Sequence, residues 1–306
     1  MVRDGRAVGV RLTDDADYKH KILMADKAVI SAVDTHQTFL RMVQRRHLDR
    51  SFVQKVSDID LKGGNIYVCN FLGRDYPRCT GEAAKIVEEL DGQPNGYFYP
   101  ADNMKIWYDN LRRMETTRTT LDYSAGNLVF AIGNLAASDP SLAPEGHSIF
   151  PMYTWWLAPE YHVDGPEAVD REKDKIDAQM TEAFCQMSPD MKDKIIDTWS
   201  MTSLQVELRN PGFTGGNWYS YAQSQDQWWN KRPVPELSRY RAPIDRLYLC
   251  HQTQYPGGLC LMAVGYNLMH ILIDDGLVEP KSWWYPSPWH VKDGSGAVPR
   301  IDNLTL

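Results

Sequence analysis

Near the end of the chain, a Tyr255, Pro256, Gly257 and Gly258 turn signal separates an apolar strand pattern from an apolar helix pattern, within the stretch 247–275. A strand, a glycine turn and a helix in this order bring backbone N–H groups close to a phosphate group or a cofactor ring. Pro-Gly-Gly is also common in turns that bind nothing. The spacing alone therefore leaves both interpretations open. No dinucleotide-binding fingerprint precedes the stretch.

Two more residues that could do chemistry stand at the ends of strand patterns. His251 follows the apolar stretch 247–250, and its ordinary pKa near neutrality would suit a proton donor. A lone histidine beside an apolar strand is more often a hydrogen-bonded structural residue. Asp34 ends the stretch 25–33 and precedes a helix pattern, where a helix cap explains it fully.

The elements that must position these residues alternate between strands and helices. The predicted strands are 5–14, 20–33, 64–73 and two patterns around a Ser/Pro/Gly loop within 126–161, and the predicted helices are 36–48, 81–90, 101–114, 169–187 and 190–201. This order predicts an α/β or α+β fold with strands at both ends and a helical middle. A sheet needs more than one hairpin to be stable. The strands beside the first pair therefore come from the C-terminal part or from another chain.

The composition is that of a globular protein of one large or two ordinary domains. The 306 residues are 43% hydrophobic and 24% charged, with a formal net charge of −7. The acidic balance and the lack of a Lys/Arg cluster argue against a nucleic-acid surface. No secretory signal and no apolar run of the roughly 18 residues that a membrane span needs is present. We therefore expect a cytoplasmic protein.

The cysteines give no sign of a disulfide framework or a zinc site. They are five in number and show no Cys-x-x-Cys spacing. This pattern favours a reducing compartment and predicts no metal site. The spacing of the remaining polar residues supports neither a Ser/His/Asp arrangement nor a carboxylate pair.

Three separated stretches carry a family resemblance. They are residues 5–34, the Pro-Gly-His-like stretch 143–153, and residues 212–267, in which Gly-Gly-Asn, a Gln/Asp/Gln segment and Tyr-Arg-x-Pro lead into the glycine turn. Together they resemble the C-terminal half of phytoene-desaturase-like FAD-dependent oxidoreductases, within the flavin amine oxidase superfamily. The resemblance runs from about residue 5 to residue 276, in the family's order and approximate spacing.

The resemblance implies the C-terminal portion of a two-domain FAD-binding fold. It assigns 1–45 and 236–280 to the flavin domain, 46–235 to a substrate-binding domain and 281–306 to a tail. The family's G-x-G-x-x-G half is not in this sequence. The stretch 293–300 comes nearest, but it lacks the third glycine and a preceding strand. We therefore expect a split subunit that shares FAD with a partner protein carrying that half.

The resemblance also implies cofactor contacts at the strand ends, at the turn and in the following helix. The implied cofactor-binding residues are Asp34, Cys250, His251, Tyr255, Pro256, Gly257, Gly258, Leu259, Met262, Ala263, Val264 and Gly265. A helix that begins near Leu261 would direct unpaired N–H groups and its positive end at the flavin, where negative charge grows on reduction. For Asp34, a contact to FAD therefore competes with the helix cap.

Two positions depart from the family pattern. His251 and Leu259 stand where the family usually has glycine, and both add bulk where the backbone runs close to the flavin. His251 is the candidate catalytic residue, and a structural role remains equally open. The departures also support an alternative function, a binding or scaffolding subunit that has lost redox activity.

The chain is rich in aromatic residues, with ten Trp and sixteen Tyr. By family position, the candidate substrate residues are Trp218, Tyr219, Gln225 and Trp228. They suit a lipophilic substrate, isoprenoid-like or aromatic, that loses a hydride in a desaturation or an allylic or benzylic oxidation. Core packing is the alternative, because consecutive strand residues face opposite sides. A carbohydrate-binding module is a third interpretation, weakened because nothing marks the protein as secreted.

Overall fold

The computed structural model describes residues 1–12, 21–63, 65–89, 94–155, 159–257 and 262–281. The predicted site residues Gly258 and Leu259 lie outside the described residues, as does nearly all of the predicted tail. In the described part, strands and helices mix as the sequence predicts, and the fold class is α/β with α+β character.

The strands are β1 (Val2–Arg3), β2 (Arg6–Ala7), β3 (Gly9–Arg11), β4 (Ile22–Met24), β5 (Val29–Ser31), β6 (Ile66–Arg74), β7 (Gly96–Tyr99), β8 (Phe130–Gly133), β9 (His147–Trp155), β10 (Ile195–Met201) and β11 (Leu247–Leu249). The α-helices are α1 (Arg50–Ser57), α2 (Gly81–Glu89), α3 (Met104–Thr117), α4 (Leu135–Ser138), α5 (Ala168–Arg171), α6 (Lys173–Met187), α7 (Ser203–Arg209) and α8 (Ala263–Asp274). Among the described residues, none of the helices combines the length and apolar character that a bilayer span requires.

An antiparallel five-stranded sheet, in the order β10-β6-β9-β8-β7, occupies the middle of the chain. In β6 the alternate residues Tyr67, Cys69 and Phe71 are buried, which is the period of two that a half-buried strand shows. Helix α6 packs on this face through Met180 and Phe184, and the Phe184 and Phe71 ring centroids lie 5.0 Å apart. These contacts hold the sheet and helix α6 in one apolar core.

One of the helices predicted for the middle of the chain was wrong. Residues 190–201, predicted as a helix after Ser188 and Pro189, form a 3₁₀ turn at Pro189–Asp193 and then the edge strand β10. Strand β10 pairs with β6, with Thr198 opposite Phe71. A periodicity of only two or three turns cannot separate helix from strand, and this pairing decides the outcome. Strand β7 was also missed.

Strands β5 and β11 form a parallel pair that joins the beginning of the chain to its C-terminal part. Leu247 and Leu249 face an apolar cluster that includes Phe39, whereas Tyr248 faces Leu268 and other residues of helix α8. Both faces of β11 are therefore covered, as is usual for parallel strands, whereas β5 keeps Ile30 exposed. The C-terminal part thus supplies a neighbouring strand, which confirms one of the two expected sources.

The predicted strand 20–33 is divided between two short strands. Strand β4 pairs with β3 in an antiparallel ribbon, and residues 25–28 then lead into β5. Four apolar side chains of this ribbon are strongly exposed, namely Val10 (40%), Ile22 (46%), Leu23 (44%) and Met24 (56%). Because neighbouring strand residues face opposite sides, both faces of the ribbon are apolar and open.

Candidate functional site

The carboxyl ends of β5 and β11 bring together the two segments that follow these strands. The Cys250 N–H donates to the Ser31 carbonyl at 2.8 Å, which extends the pairing by one residue. Thr35 Oγ1 then donates to Thr253 Oγ1 at 2.9 Å, across 218 positions of sequence. Ligands of α/β sheets bind at the carboxyl ends of strands. We define the candidate site by three segments, residues 34–37, 219–232 and 251–257.

Asp34 caps the helical turn that follows β5. Its Oδ1 atom accepts hydrogen bonds from the His36 N–H at 2.7 Å and the Gln37 N–H at 3.4 Å, and its carbonyl accepts from the Thr38 N–H at 2.9 Å. These bonds satisfy donors that a helix N-terminus leaves unpaired. The Tyr221 hydroxyl also donates to Oδ1, at 2.7 Å. Asp34 Oδ2 is buried and has no hydrogen-bond partner among the described residues.

His251 is half-buried in the field of Asp34 and Arg232. Burial lowers the pKa of His251, Asp34 opposes this shift, and Arg232 adds to it. The Nδ1 atom accepts the Thr253 N–H at 3.3 Å, so the neutral ring carries its proton on Nε2. At neutral pH the ring is therefore a neutral N–H donor, and the protonated form that a proton donor needs is less populated than the ordinary pKa implies.

Arg232 is a buried cation whose hydrogen bonds go to backbone carbonyls. The side chain is 0% exposed. Its two terminal nitrogens donate to the carbonyl oxygens of Tyr219 at 2.7 Å, Ser220 at 2.5 Å, Ala222 at 3.4 Å and Gln252 at 3.4 Å. The Nε atom has no partner in the described part of the chain. Burial lowers the pKa of Arg232 to about 10, so the group stays charged at neutral pH.

The described part of the glycine turn, Tyr255–Gly257, rests on the Arg232 side chain. Gly257 has φ +64°, a left-handed conformation that favours glycine. A Cβ atom there would lie 2.4 Å from Arg232 Nε and 2.8 Å from the Gln252 carbonyl oxygen. The Tyr255 ring packs against Trp228, with ring centroids 5.4 Å apart. Packing and backbone conformation therefore both require glycine at this position.

Helix α8 places its first turn beside the end of β11. A Cβ atom at Gly265 would lie 4.0 Å from Cys250 Sγ, which is ordinary contact. Burial raises the pKa of the Cys250 thiol, so the thiol stays protonated. Val264 is buried in the cluster around Tyr248, whereas Met262 is 84% exposed. Of the predicted contacts in this helix, Gly265 thus lies against the end of the strand, and Ala263 is half-buried.

The four predicted substrate residues lie in different surroundings. Trp228 is half-buried, and the guanidinium carbon of Arg232 lies 5.7 Å from the Trp228 ring centroid. Trp218 packs instead on Tyr153 of β9, with ring centroids 4.9 Å apart. The Tyr219 carbonyl accepts a hydrogen bond from Arg232, and Gln225 is exposed. The structure brings Trp228 and the Tyr219 backbone to the candidate site.

Sequence reasoning missed the residues that connect the three segments. They are Thr35, Tyr221, Arg232, Thr253 and Gln254. Arg232 had no local signal, because arginine is seldom fully buried and the adjacent stretch Pro233–Pro235 does not mark a buried position. Tyr221 had none, since its partner Asp34 is 187 positions away.

The candidate site also concentrates buried polar atoms that have no partner among the described residues. Six such atoms lie in the three segments: Asp34 Oδ2, Gln37 Nε2, Ser220 Oγ, Arg232 Nε, Gln252 Nε2 and Gln254 Nε2. Buried polar groups are normally hydrogen-bonded. Five of the six atoms are hydrogen-bond donors, and the sixth is a carboxylate oxygen. In the described ranges, no cluster of three His, Cys, Asp or Glu residues could hold a metal ion.

No protein-family model matches the sequence. The chain is 26% identical over 284 residues to pyridine nucleotide-disulfide oxidoreductase domain-containing protein 2 of Mus musculus, covering 89% of this chain and 45% of that protein. It is 21% identical over 296 residues to one of the subunits of limonene dehydrogenase from Castellaniella defragrans, covering 93% of this chain and 50% of that protein. The chain therefore spans about half the length of the curated relatives it matches.

Among solved structures, an oxidoreductase from Methanosarcina mazei has a similar fold. The TM-score is 0.50 at 16% identity, over 89% of this chain and 47% of that chain. This likeness concerns the fold alone. The curated relatives are oxidoreductases by name, and they support a redox function.

Proposed function

We propose that this chain is the C-terminal part of an FAD-dependent oxidoreductase. The observation that carries the proposal is the group of six buried polar atoms without a described partner, at the carboxyl ends of β5 and β11 and beside a glycine turn. The oxidoreductase names of the relatives support it. In this proposal, residues 1–45 and 236–280 belong to the flavin domain, and residues 46–235 form the substrate-binding domain.

Each segment of the candidate site has a role in holding the cofactor. FAD, when bound, supplies the two-electron acceptor for a hydride from an unreactive C–H bond. Gly257 lets the turn pack directly on Arg232, because a Cβ atom there would meet the guanidinium, and this contact would fix the turn beside the cofactor. His251 offers its Nε2–H as a hydrogen-bond donor, and Asp34 offers Oδ2 as an acceptor. Gly258 and Leu259 remain proposed cofactor-binding residues by family position.

The proposed substrate is lipophilic, either isoprenoid-like or aromatic, and the proposed reaction is a desaturation or an allylic or benzylic oxidation. Two aromatic rings support an apolar wall beside the turn, because Trp228 and Tyr255 pack edge to face. The name of one relative, a limonene dehydrogenase, points to the same substrate class. Trp218, Tyr219 and Gln225 remain proposed substrate residues by family position.

The proposed partner is a polypeptide that carries the G-x-G-x-x-G dinucleotide-binding half. The relatives are about twice as long as the stretch they share with this chain, and one of them is named as a subunit. The exposed apolar ribbon of β3 and β4 supplies a surface for such a partner, and Ile30 of β5, 47% exposed, adds to it. A partner that covers these side chains removes apolar area from water.

Co-expression with a polypeptide of this kind tests the proposal. We expect a soluble complex whose visible absorption spectrum shows bound flavin and whose bands bleach when a lipophilic substrate is added. A soluble but colourless complex that takes up no added FAD would contradict the proposal. That result would favour the redox-inactive scaffolding subunit, the alternative that His251 in place of a glycine supports.

A further inference from the structure

Arg232 carries a positive charge that the described residues do not neutralise. Its side chain is 0% exposed, and its hydrogen bonds go to uncharged carbonyl groups of Tyr219, Ser220, Ala222 and Gln252. By contrast, the partly exposed Arg241 pairs with the carboxylate of Asp275 at 2.7 Å. Burying an unpaired ion costs several kcal/mol, so a protein that keeps one inside gains something else from it.

The backbone around Arg232 is bent to accept this guanidinium. Ser220 has φ +49° and Tyr221 has φ +85°, a left-handed conformation that non-glycine residues rarely adopt. The carbonyls of Tyr219, just before this bend, and Ser220, within it, both accept from Arg232 Nη2. Two adjacent residues in this conformation cost free energy. The bonds to Arg232 offset that cost, so the arginine and the bend depend on each other.

The buried charge also lies directly behind the glycine turn. A Cβ atom at Gly257 would come within 2.4 Å of Arg232 Nε, so the turn backbone and the guanidinium are in contact. Arg232 also reaches the Gln252 carbonyl at the start of the same segment. Its field extends to His251, whose pKa it helps to lower. Arg232 is thus the link between the bend at 219–222 and the turn at 255–257.

We propose that Arg232 is a positioning residue that sets both the geometry of the turn and the electron affinity of the bound cofactor. This inference rests on the proposed FAD function. Through its bond to the Gln252 carbonyl and its close contact with Gly257, Arg232 holds the turn Tyr255–Gly257 in place. Through its charge, it stabilises the negative charge that reduction adds to the cofactor, because a buried charge acts through a low dielectric. Arg232 raises the midpoint potential without touching substrate.

The test compares variants of the full chain in the complex with its partner half, loaded with FAD. Arg232→Met removes the charge and the hydrogen bonds. We expect the preference for reduced over oxidised FAD to fall at least tenfold, which is about 30 mV for a two-electron couple. Gly257→Ala disturbs the same turn and keeps the charge. It should lose flavin and thermal stability, but the FAD that it retains should keep the wild-type potential.

Arg232→Lys separates the charge from the fork of hydrogen bonds. A lysine cannot reach four carbonyls, so thermal stability should fall as in Arg232→Met. Burial lowers the pKa of a lysine, so the potential should recover at pH 6 and decline towards the Met value at pH 9. Arg118→Gln is the matched control, because Arg118 also bonds a carbonyl, that of Tyr161, but is exposed. It should change neither the potential nor the flavin content.

Each outcome distinguishes this inference from the proposed function. A wild-type complex that binds no FAD would overturn both. A yellow wild-type complex with the same potential in Arg232→Met would overturn the role of Arg232 and leave the FAD function standing. If Arg232→Met retains no FAD, the midpoint potentials of Arg232→Lys at pH 6 and pH 9 decide. If the difference in midpoint potential between Arg232→Lys and wild type is the same at both pH values, the inference is overturned.

Discussion

Tyr221 and Asp34 are joined by a hydrogen bond of 2.7 Å from the phenolic hydroxyl to Oδ1, although 187 positions separate them in sequence. Tyr221 is 0% and Asp34 1% exposed. The His36 N–H donates to both oxygens, at 3.0 Å and 2.7 Å. Burial raises the pKa of Tyr221 far above its ordinary value, and Asp34 raises it further, so the hydroxyl remains a donor. This hydrogen bond links the helix cap at Asp34 to the segment 219–232 of the candidate site.

Tyr221→Phe should lower the free energy of unfolding by about 2 kcal/mol, because it leaves a buried carboxylate with one donor fewer. Chemical denaturation followed by tryptophan fluorescence measures the change. Tyr153→Phe is the control, since the Tyr153 ring also packs on an aromatic partner, Trp218, without a hydroxyl bond among the described residues. Equal losses in the two variants would contradict the importance of the Tyr221–Asp34 bond.

Gly257→Ala and Gly276→Ala form a matched pair of glycine variants. Both glycines have left-handed conformations, with φ +64° and +68°. A Cβ atom at Gly276 meets nothing within 4 Å, whereas one at Gly257 meets Arg232 and the Gln252 carbonyl. We expect a loss of about 1 kcal/mol for Gly276→Ala from conformation alone. Overpacking should add about 1–3 kcal/mol for Gly257→Ala.

Thermal unfolding measures both glycine variants, and the visible spectrum of the complex reports on the cofactor. Gly257→Ala should reduce flavin content, and Gly276→Ala should leave it unchanged. If the two variants lose the same stability, then Arg232 yields to the new methyl group, and the close contact at Gly257 is not a constraint.

The sequence predicts the elements with strong periodicity and fails where pairing decides. Helix α3 and helix α6 lie where their apolar spacing places them, and strand β6 shows the expected alternation. The stretch 190–201 is too short for its periodicity to distinguish helix from strand, and the open edge of β6 makes it a strand. Local spacing carries no information about such an edge.

The residues of the candidate site also fall into those that the sequence predicts and those that only the tertiary structure reveals. Asp34 and His251 stand at the ends of recognisable strands, so sequence alone makes them candidates. Arg232 and Tyr221 become important only because a bend turns carbonyls inward and a distant carboxylate lies nearby. Such contacts join residues that are far apart in sequence, so no local sequence pattern predicts them.

The lowered pKa of His251 predicts a specific loss of stability in acid. A histidine whose pKa is lower in the folded than in the unfolded chain opposes folding when it is protonated. The stabilising effect of the neutral ring is therefore complete above the pKa of histidine in the unfolded chain, about 6.5. It is lost as the pH falls from that pKa towards the lower pKa of the folded chain. The melting temperature of wild type should decline across this window, and that of His251→Asn should decline less.

His147→Asn is the control for this pH dependence. His147 Nδ1 contacts the Glu145 carbonyl in an exposed part of the chain, away from the candidate site. His147→Asn therefore shows how the melting temperature changes with pH when a histidine outside the candidate site is lost. Melting curves of His251→Asn that follow wild type at every pH between about 5 and 8 would show that burial of His251 is not coupled to folding.

The exposed apolar ribbon predicts that the chain associates when it is expressed without a partner. Leu23 and Met24 are 44% and 56% exposed on opposite faces of β4, and Ile30 is 47% exposed on β5. Obligate interfaces typically bury about 2,000–5,000 Å² and resemble a divided core. Light scattering should show aggregation of the free chain, and co-expression with the dinucleotide-binding half should give a soluble yellow complex.

Leu23→Lys tests whether the ribbon itself is the contact. A charge on this face should reduce association of the free chain and weaken the complex with the partner, because the buried interface would have to desolvate it. Leu208→Lys is the control, since Leu208 is 71% exposed on helix α7 and should affect neither. A free wild-type chain that is a monodisperse, cooperatively melting monomer of 35.1 kDa would contradict the split-subunit proposal, because such a chain has no need of a partner to cover its ribbon.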